Sequence, residues 1–382
     1  MAAERRQFNA GRTGELAEVV AKREIATATD AAAYDRVVGL EACASELYWP
    51  LKHRSEGDDD VAAAASLVLL ETGLRDLDES DHSHAQSASG AWRAVTARAA
   101  TKPEHRSQIY AALIDSDPRV RRAAIRTIHA DPMLTDGREL VEVVRLDPDM
   151  QLRQSALSSL GELGDLNSLL MVRDSWDEMT EPSRIAYLQA LDAPASRIRG
   201  GAQILTRIME TEESLEGVVA ASLLCREPNP SSGYAVSRLM QALRQGTLSE
   251  RLLALSSLPE TEPELQIEVS KLAMSDNPYL RVAALDRWLK TPSHADEARH
   301  RLQAIAESKD VDALEASQAL AMKGDENSIL RVEQRLGASV SGERIAVARL
   351  LLRLKRWGAV ARALTDDHPA VRLAIACNVL AQ

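Results

Sequence analysis

A local pattern recurs about every 31 residues through most of this chain. Its clearest copy is "DSDPRVRRAAIRTI", which runs from Asp115 to Ile128. Taking Arg121 as the reference position, equivalent residues stand at 121, 153, 184, 216, 251, 281, 313, 344 and 372. These positions lie 28 to 35 residues apart. A steady period of this length indicates a repeat architecture, in which each unit buries its apolar side only against its neighbours.

Aligned positions within the repeats show a helical face. The residue seven places after the reference (+7) is apolar in all nine copies, from Ile128 to Val379, and no residue at +3 is charged. Positions +3 and +7 share one side of a helix, so they predict a buried face. The +5 residues are mostly polar and variable, which predicts exposure to solvent: Arg126, Ser158, Gln189, Ala221, Ser256, Asp286, Gln318, Arg349 and Cys377.

A turn precedes each of these helices. Pro118, Pro278 and Pro369 stand three residues before the reference, and Asp117 and Asn277 come directly before two of them. Proline fits the first turn of a helix, and Asp or Asn before it is a common N-cap. A second apolar helical pattern lies upstream of every turn, so each repeat reads as helix, turn, helix. Farther along, "RGG" at 199–201 is expected to break the first helix of its repeat.

The predicted fold is an all-α, right-handed α-solenoid of about ten or eleven helix–turn–helix repeats. Residues 91–382 form the regular part, and residues 1–90 form diverged repeats with acidic and polar loops. The pattern D-x-P-x-V-R-x-x-A-x-x-x-L resembles the short bacterial HEAT-like repeat, which also occurs in phycobilin lyases. The resemblance covers roughly Trp92 to the C-terminus. It implies the fold, but HEAT-like proteins include scaffolds, adaptors and a few enzymes, so it does not by itself imply one activity.

Arginine recurs at the reference position itself. Arg121, Arg153, Arg281 and Arg372 lie beside turn residues that are often acidic. We expect these side chains to form a ladder of hydrogen bonds and ion pairs between repeats, which is a structural role. The apolar C-terminal sequence "CNVLAQ" predicts an end that lies against another molecule, because terminal repeats usually carry a polar outer face.

Charge and cysteine content restrict the environment. The net charge is −11, which argues against general binding to nucleic acid or anionic membranes. No apolar run is long enough to span a bilayer, and no signal peptide is visible, so we expect a cytoplasmic protein unless a leader has been removed. Cys43, Cys225 and Cys377 are far apart without metal-ligand spacing. They are expected to be reduced and buried rather than disulfide-bonded.

The sequence offers no catalytic motif, and we predict neither catalytic residues, metal nor cofactor. His82 and His84 in "DESDHSH" form a pair that would bind metal only with Asp78, Glu79 or Asp81, and a solvated loop is the simpler explanation. No His-Glu dipeptide occurs, so the di-iron chemistry of some HEAT-like enzymes is not supported.

We therefore expect a non-enzymatic scaffold or adaptor that binds a protein on the concave face of the solenoid. Two basic clusters, 93–126 and 344–362, are either solvated surface or contacts for an acidic partner. Nucleic acid is disfavoured. The alternative function is a HEAT-like enzyme or nucleic-acid-handling protein, of the chromophore lyase or DNA glycosylase type. The candidate partner-binding residues are Arg122, Arg126, Gln189, Asp286, Arg349 and Arg353.

Overall fold

A computed structural model describes residues 2–30, 32–77, 81, 83–131, 134, 137–226, 232–260, 262, 264–308 and 310–382, with side chains from position 10 onward. In this part of the chain every regular element is helical and there is no strand. The chain divides into two compact units. The central unit comprises Ala100–Arg301, and the terminal unit combines Met1–Ala99 with Leu302–Gln382. This division is independent of the predicted boundary near residue 90, which concerns the regularity of the repeats and stays a prediction.

The central unit is a succession of helix pairs. Six second helices, each carrying a reference position, contact one another in chain order, and first helices pack beside them. The second helices are α7 (Pro118–Ala130), α9 (Met150–Leu163), α11 (Glu181–Asp192), α14 (Leu215–Leu224), α16 (Leu248–Ser257) and α18 (Pro278–Trp288). The others are α6 (Arg106–Leu113), α8 (Arg138–Leu146), α10 (Leu166–Arg173), α12 (Pro194–Arg199), α13 (Gly201–Thr211), α15 (Ser232–Gln245) and α17 (Leu265–Ala273). Packing in neighbouring pairs confirms the predicted α-solenoid class.

Both ends of the chain build the terminal unit. Its helices are α1 (Ala2–Ala26), α2 (Ala33–Val38), α3 (Tyr48–Ser55), α4 (Asp60–Glu71), α5 (Gly90–Ala99), α20 (Ala313–Ala321), α21 (Glu326–Gln334), α22 (Ser341–Arg353), α23 (Trp357–Ala363) and α24 (Pro369–Leu380). Helix α19 (Ala295–Glu307) contains the residue at which the division falls. The apolar core of this unit draws on Ala17 to Val95 and on Ala321 to Val379.

The predicted buried columns are confirmed. All nine +7 side chains are buried, and so are eight of the nine +3 side chains, the exception being the half-buried Val219. Tyr187, the largest +3 residue, is fully buried and its ring meets that of Trp176 edge-on at 5.7 Å. Burial raises the pKa of Tyr187 to about 12. The +5 prediction is right for Ser158, Gln189, Ser256 and Arg349, but wrong for Ala221 and Cys377, which are buried.

Helix starts follow the predicted capping chemistry. Asp117 accepts a hydrogen bond from the backbone N–H of Arg119 at 2.9 Å, and Asn277 accepts from Tyr279 and Leu280 at 3.1 and 3.2 Å. The break at "RGG" is also confirmed, because α12 ends at Arg199 and α13 begins at Gly201. Gly200 between them has φ of 119°, a conformation that favours glycine.

Arginines at the reference position do form ion pairs between repeats, but they are not the set that the sequence predicted. Arg121 is buried and binds both carboxylate oxygens of Asp147, at 2.7 and 3.0 Å, and Arg344 binds Asp366 at the same two distances. Each arginine also donates to two carbonyls of its own turn, for Arg121 those of Asp115 and Ser116. The hydrogen bond with Asp147 raises the pKa of Arg121 above its ordinary value.

Arg153 does not form the expected ion pair with any described residue, and the carboxylate expected for Arg281 pairs with another arginine. The acceptor carboxylate stands six residues before the next reference, as Asp147 does before Arg153 and Asp366 before Arg372. The corresponding acid for Arg153 is Glu178, which lies exposed in a 3-10 helix. The corresponding acid for Arg281 is Glu307, which pairs instead with Arg331 at 3.1 Å. Among the described residues, the buried Nε of Arg153 has no hydrogen-bond partner.

The ladder also continues where the regular repeats end. Arg372 in α24 binds Glu24 of α1 at 2.8 and 3.1 Å, so the N-terminal helix supplies the carboxylate that a following repeat would supply. Helix α1 packs along α24 and α23. The apolar C-terminal helix was expected to lie against another molecule, but the chain's own N-terminal helix covers it.

The cysteine prediction is wrong for two of the three residues. Cys43 and Cys377 form a disulfide, with Cα atoms 5.3 Å apart and a sequence separation of 334. Cys225 is the free cysteine, and it is half-buried, with burial raising the pKa of its thiol. A periodic pattern describes neighbours along the stack and carries no information about the contact between the two ends.

Candidate partner-binding surface

One stripe on the surface of the central unit is formed by side chains that do not belong to the apolar core. Positions +1 and +5 lie one helical turn apart on the same side of each second helix. In α7 they are Arg122 and Arg126, in α9 Gln154 and Ser158, and in α11 Ile185 and Gln189. Because α7 packs on α9 and α9 on α11, we call these residues the +1/+5 stripe.

A groove of about 650 Å³ lies on this stripe between α9 and α11. Gln154, Ser158 and Glu162 line it at successive turns of α9, and Ile185 and Gln189 face them from α11. At one end of the groove, Asp192 pairs with Arg197 at 2.7 Å and with the exposed Arg226 at 3.5 Å. The groove thus presents exposed amide and hydroxyl groups with charges of both signs near its end.

The two helices approach closely at the floor of this region because of one glycine. A Cβ atom on Gly161 of α9 would lie 2.6 Å from the carbonyl oxygen of Ala190 in α11. The backbone carbonyl of Gly161 also accepts a hydrogen bond from Ser196 at 3.0 Å. Glycine at this position therefore sets the separation of the helices that border the groove.

Two arginines form the basic end of the stripe. Arg122 lies 3.9 Å from Asp149 with about a third of its side chain exposed, and Arg126 is half-exposed. Asp286, predicted as part of the same face, lies on α18 and pairs with Lys290 one turn later at 3.3 Å. Arg122, Arg126, Gln189 and Asp286 thus all belong to the central unit.

Arg349 and Arg353 lie in the terminal unit. They are exposed one turn apart on α22, and neither forms an ion pair with a described residue. Three other arginines of their basic cluster pair with acids from outside 344–362, a range that contains no acid itself. The pairs are Arg344 with Asp366, Arg356 with Glu326 and Glu333, and Arg362 with Glu333, at 2.7 to 3.0 Å.

The central unit has a second groove that the sequence did not predict. It measures about 460 Å³ and lies between α6 and α8, with Ile114 84% and Leu146 74% exposed at its edge and Glu142 beside them. Ile114 and Leu146 both stand seven residues before their reference positions, directly after the buried face of the first helix. An apolar residue there was the sequence signal that could have predicted this groove.

The loop "DESDHSH", for which no metal site was predicted, is described only in part. No group of three His, Cys, Asp or Glu residues suited to a metal occurs in the described part of the chain, and Asp78, Glu79 and His82 lie outside the described residues. His84 packs against Trp92 with ring centres 4.6 Å apart, and the buried Asp81 pairs with Arg75. A search of the same described residues finds no helix that is long and apolar enough to cross a membrane.

Comparison with known proteins leaves the family open. No family model matches the sequence, and no curated protein is similar to it. Among solved structures, an engineered protein determined by the Northeast Structural Genomics Consortium matches at 15% identity over 95% of this chain and 98% of its own. The TM-score of this match is 0.30.

Proposed function

We propose that this protein is a non-enzymatic scaffold of the HEAT-like type, which binds a segment of a partner protein along the +1/+5 stripe of its central unit. The observation that carries the proposal is the groove between α9 and α11. Its walls are Gln154, Ser158 and Gln189, whose polar groups are not needed by the core. An open groove between two helices suits a chain segment laid along it.

The chemistry of the stripe favours a particular kind of segment. Glutamine side chains both donate and accept hydrogen bonds, so Gln154 and Gln189 are suited to the peptide groups of a bound chain. Arg122 and Arg126 at the α7 end are suited to carboxylates on the partner. The preferred partner is therefore a protein segment that is polar along the groove and acidic at the end that meets α7.

Nucleic acid fits the same surface less well. Glu162 and Asp192 line the groove, and their carboxylates would repel the phosphates of a strand placed there. A nucleic-acid-handling function would use a continuous basic surface, whereas the α9–α11 part of the stripe carries both signs of charge. A scaffold for protein is accordingly preferred over the glycosylase-type alternative.

Site-specific photo-crosslinking in an extract of the native host tests the location. A photoreactive amino acid at Gln189 is expected to capture a discrete partner protein. The same group at Asn167, which is exposed on α10, serves as the matched control and is expected to capture none. Capture from Glu142, beside the second groove, without capture from Gln189 would move the binding site to that groove and contradict the assignment.

Charge reversal then tests the acidic character of the partner. With the captured protein purified, Arg126→Glu is expected to weaken binding by about 1–3 kcal/mol at low salt, the range for hydrogen bonds to charged groups. The loss is expected to shrink at high salt. Arg349→Glu and Arg353→Glu on α22 are separate tests, because they report on whether the terminal unit also contributes. Unchanged binding in all three variants would contradict an acidic partner.

A further inference from the structure

The disulfide joins two segments that belong to opposite ends of the chain. Cys43 closes a short 3-10 helix, Glu41–Cys43, and its side chain is fully buried. Cys377 lies in α24, the last helix, and is 5% exposed. The 3-10 helix packs directly on α24. The covalent bond therefore fixes an N-terminal segment onto the last repeat within the terminal unit.

Non-covalent contacts surround the disulfide. Helix α1 packs along α24 with Ala17, Ala21 and Ile25 buried, and Glu24 binds Arg372 through both carboxylate oxygens. Arg372 also donates to the carbonyls of Asp366 and Asp367, at 2.6 and 2.9 Å. These contacts hold the two ends together whether or not the sulfur–sulfur bond is present, so the bond adds to an interface that already exists.

The last repeat differs from those of α9, α11 and α16 at the stripe positions. Its +1 and +5 residues, Leu373 and Cys377, are both buried, whereas Ser158, Gln189 and Ser256 at +5 are exposed in the central unit. The difference arises because α24 is covered by the N-terminal segment of its own chain. The sulfur of Cys377 lies 4.0 Å from the carbonyl oxygen of Leu40 in that segment.

We propose that the Cys43–Cys377 disulfide is a redox-operated clasp, which keeps the N-terminal segment seated on the +1/+5 face of the last repeat. A dithiol, from a protein or a small molecule, supplies the two electrons and two protons that break the sulfur–sulfur bond. The products are a thiol on Cys43, a thiol on Cys377 and the disulfide of the donor. The non-covalent packing of α1, α2 and the 3-10 helix on α24 and the Arg372–Glu24 pair then resist opening without the covalent bond. The segment therefore dissociates locally far more often and uncovers Leu373 and Cys377.

Burial of both sulfur atoms makes reduction of the disulfide slow. Exchange requires a thiolate to reach one of the two sulfurs, and both are buried in the closed form. The disulfide is therefore reduced only during local opening. This inference does not depend on the proposed partner-binding stripe of the central unit, since it concerns the terminal unit alone.

Hydrogen exchange of the full-length protein, followed by mass spectrometry, tests the clasp. A loop-closing disulfide of typical strength corresponds to about 30- to 700-fold in an opening equilibrium. We expect protection of amides in 40–44 and in α24 to fall by about that factor when dithiothreitol reduces the wild-type protein. Peptides of the central unit are expected to keep their protection. Cys225→Ser, the matched control, is expected to behave as the wild type in both conditions.

Two variants test whether loss of the disulfide alone causes the opening. Cys43→Ser and Cys377→Ser are each expected to show the low protection of the reduced protein with and without dithiothreitol. If a variant fails to fold, reduced wild-type protein alone still decides the question. Equal protection in oxidised and reduced wild type would overturn the proposal. So would alkylation of all three cysteines in protein prepared under oxidising conditions, since only Cys225 is expected to react.

Discussion

A buried guanidinium group in a helical repeat needs a carboxylate at a defined distance along the chain. Arg121 and Arg344 have one because an aspartate stands six residues before the following reference position, as Asp147 and Asp366. The same aspartates accept from the backbone N–H two residues later, at 2.8 Å, so one side chain shapes the turn and receives the arginine. Each aspartate thus stabilises its own turn and also forms the ion pair with the preceding repeat.

Sequence periodicity predicted Arg121 and Arg372 as members of this ladder, but it missed Arg344 and included Arg153, which forms no such pair with a described residue. An ion pair needs an arginine at the reference position of one repeat and an aspartate six residues before the reference of the next. Arg121 meets both conditions. Arg251 does not, because Ser275 stands where the aspartate would be. Conversely, the role of Arg349 and Arg353 was predicted from exposure alone, and the ion pairs of Arg344, Arg356 and Arg362 come from helices that the local sequence does not show.

Removal of Arg121 tests the structural role of the ladder. Arg121→Ala leaves the carboxylate of Asp147 buried without its main partner, so we expect the free energy of unfolding to fall by about 1–3 kcal/mol. Denaturant unfolding measures this. Arg353→Ala, an exposed arginine, is the control and is expected to change stability by less than about 0.5 kcal/mol. Equal losses in the two variants would contradict the assignment.

The helical phase is tested at a buried and an exposed position of the same helix. Leu160→Asp on α9 places a carboxylate without a partner in the fully buried +7 column, and we expect a strong loss of stability. Ser158→Asp, two residues away in the exposed +5 column, is expected to be nearly neutral. Melting temperatures compare the two, and Leu258→Asp is expected to repeat the result for Leu160→Asp. Similar losses at both columns would show that the phase is wrong.

At the scale of elements, the close approach of α9 and α11 depends on a single missing side chain. In Gly161→Ala the new methyl group meets the backbone of Ala190, which cannot move aside like a flexible side chain. We expect a loss of about 1–3 kcal/mol from overpacking, although alanine is the better helix former. The control is Gly11→Ala, in the middle of α1 with nothing within 4 Å, which is expected to be neutral or stabilising. Thermal unfolding of both variants checks the prediction.

Element starts were the most predictable part of this fold, because capping is local chemistry. Asp117 and Asn277 act as N-caps as their sequence positions indicate, and glycine at 200–201 separates α12 from α13. The grooves were less predictable. The pattern identified Gln189 as exposed, but the groove exists because Gly161 lets α11 approach α9, and that contact joins residues in different repeats.

At the scale of the chain, the pattern predicted a stack with two free ends and could not predict that the ends meet. Residues 24 and 372, and residues 43 and 377, are joined across more than three hundred positions of sequence. Three cysteines without a spacing motif allow several pairings or none, so sequence alone did not distinguish a bond from buried thiols. The apolar C-terminal helix was the one available signal, and its cover proved to be the chain itself.

The contact between the ends is expected to weaken in acid. Burial raises the pKa of Glu24, but hydrogen bonds from Arg372 and Arg23 outweigh this, and the net pKa lies below its ordinary value. A carboxylate whose pKa is lowered by folding stabilises the protein above its unfolded pKa, about 4.3, and this contribution is lost as the pH falls through the lower folded value. The stabilisation by Glu24 is therefore complete near neutrality, starts to fall as the pH approaches about 4.3, and is lost once the pH is below the lower folded pKa.

Glu24→Gln isolates this contribution from the other carboxylates, such as Asp366, whose pKa is lowered as well. We expect the difference in free energy of unfolding between wild type and Glu24→Gln to be largest at pH 6–7. It is expected to shrink towards zero as the pH falls from about 4.3 through the lower folded pKa, because protonation removes in the wild type what the substitution removes in the variant. Glu18→Gln, on the same helix in a solvent-exposed pair with Lys22, is the control and should show almost no difference at any pH. A difference for Glu24→Gln that stays constant from pH 7 to pH 3 would mean that the Arg372–Glu24 ion pair does not stabilise the closed ends.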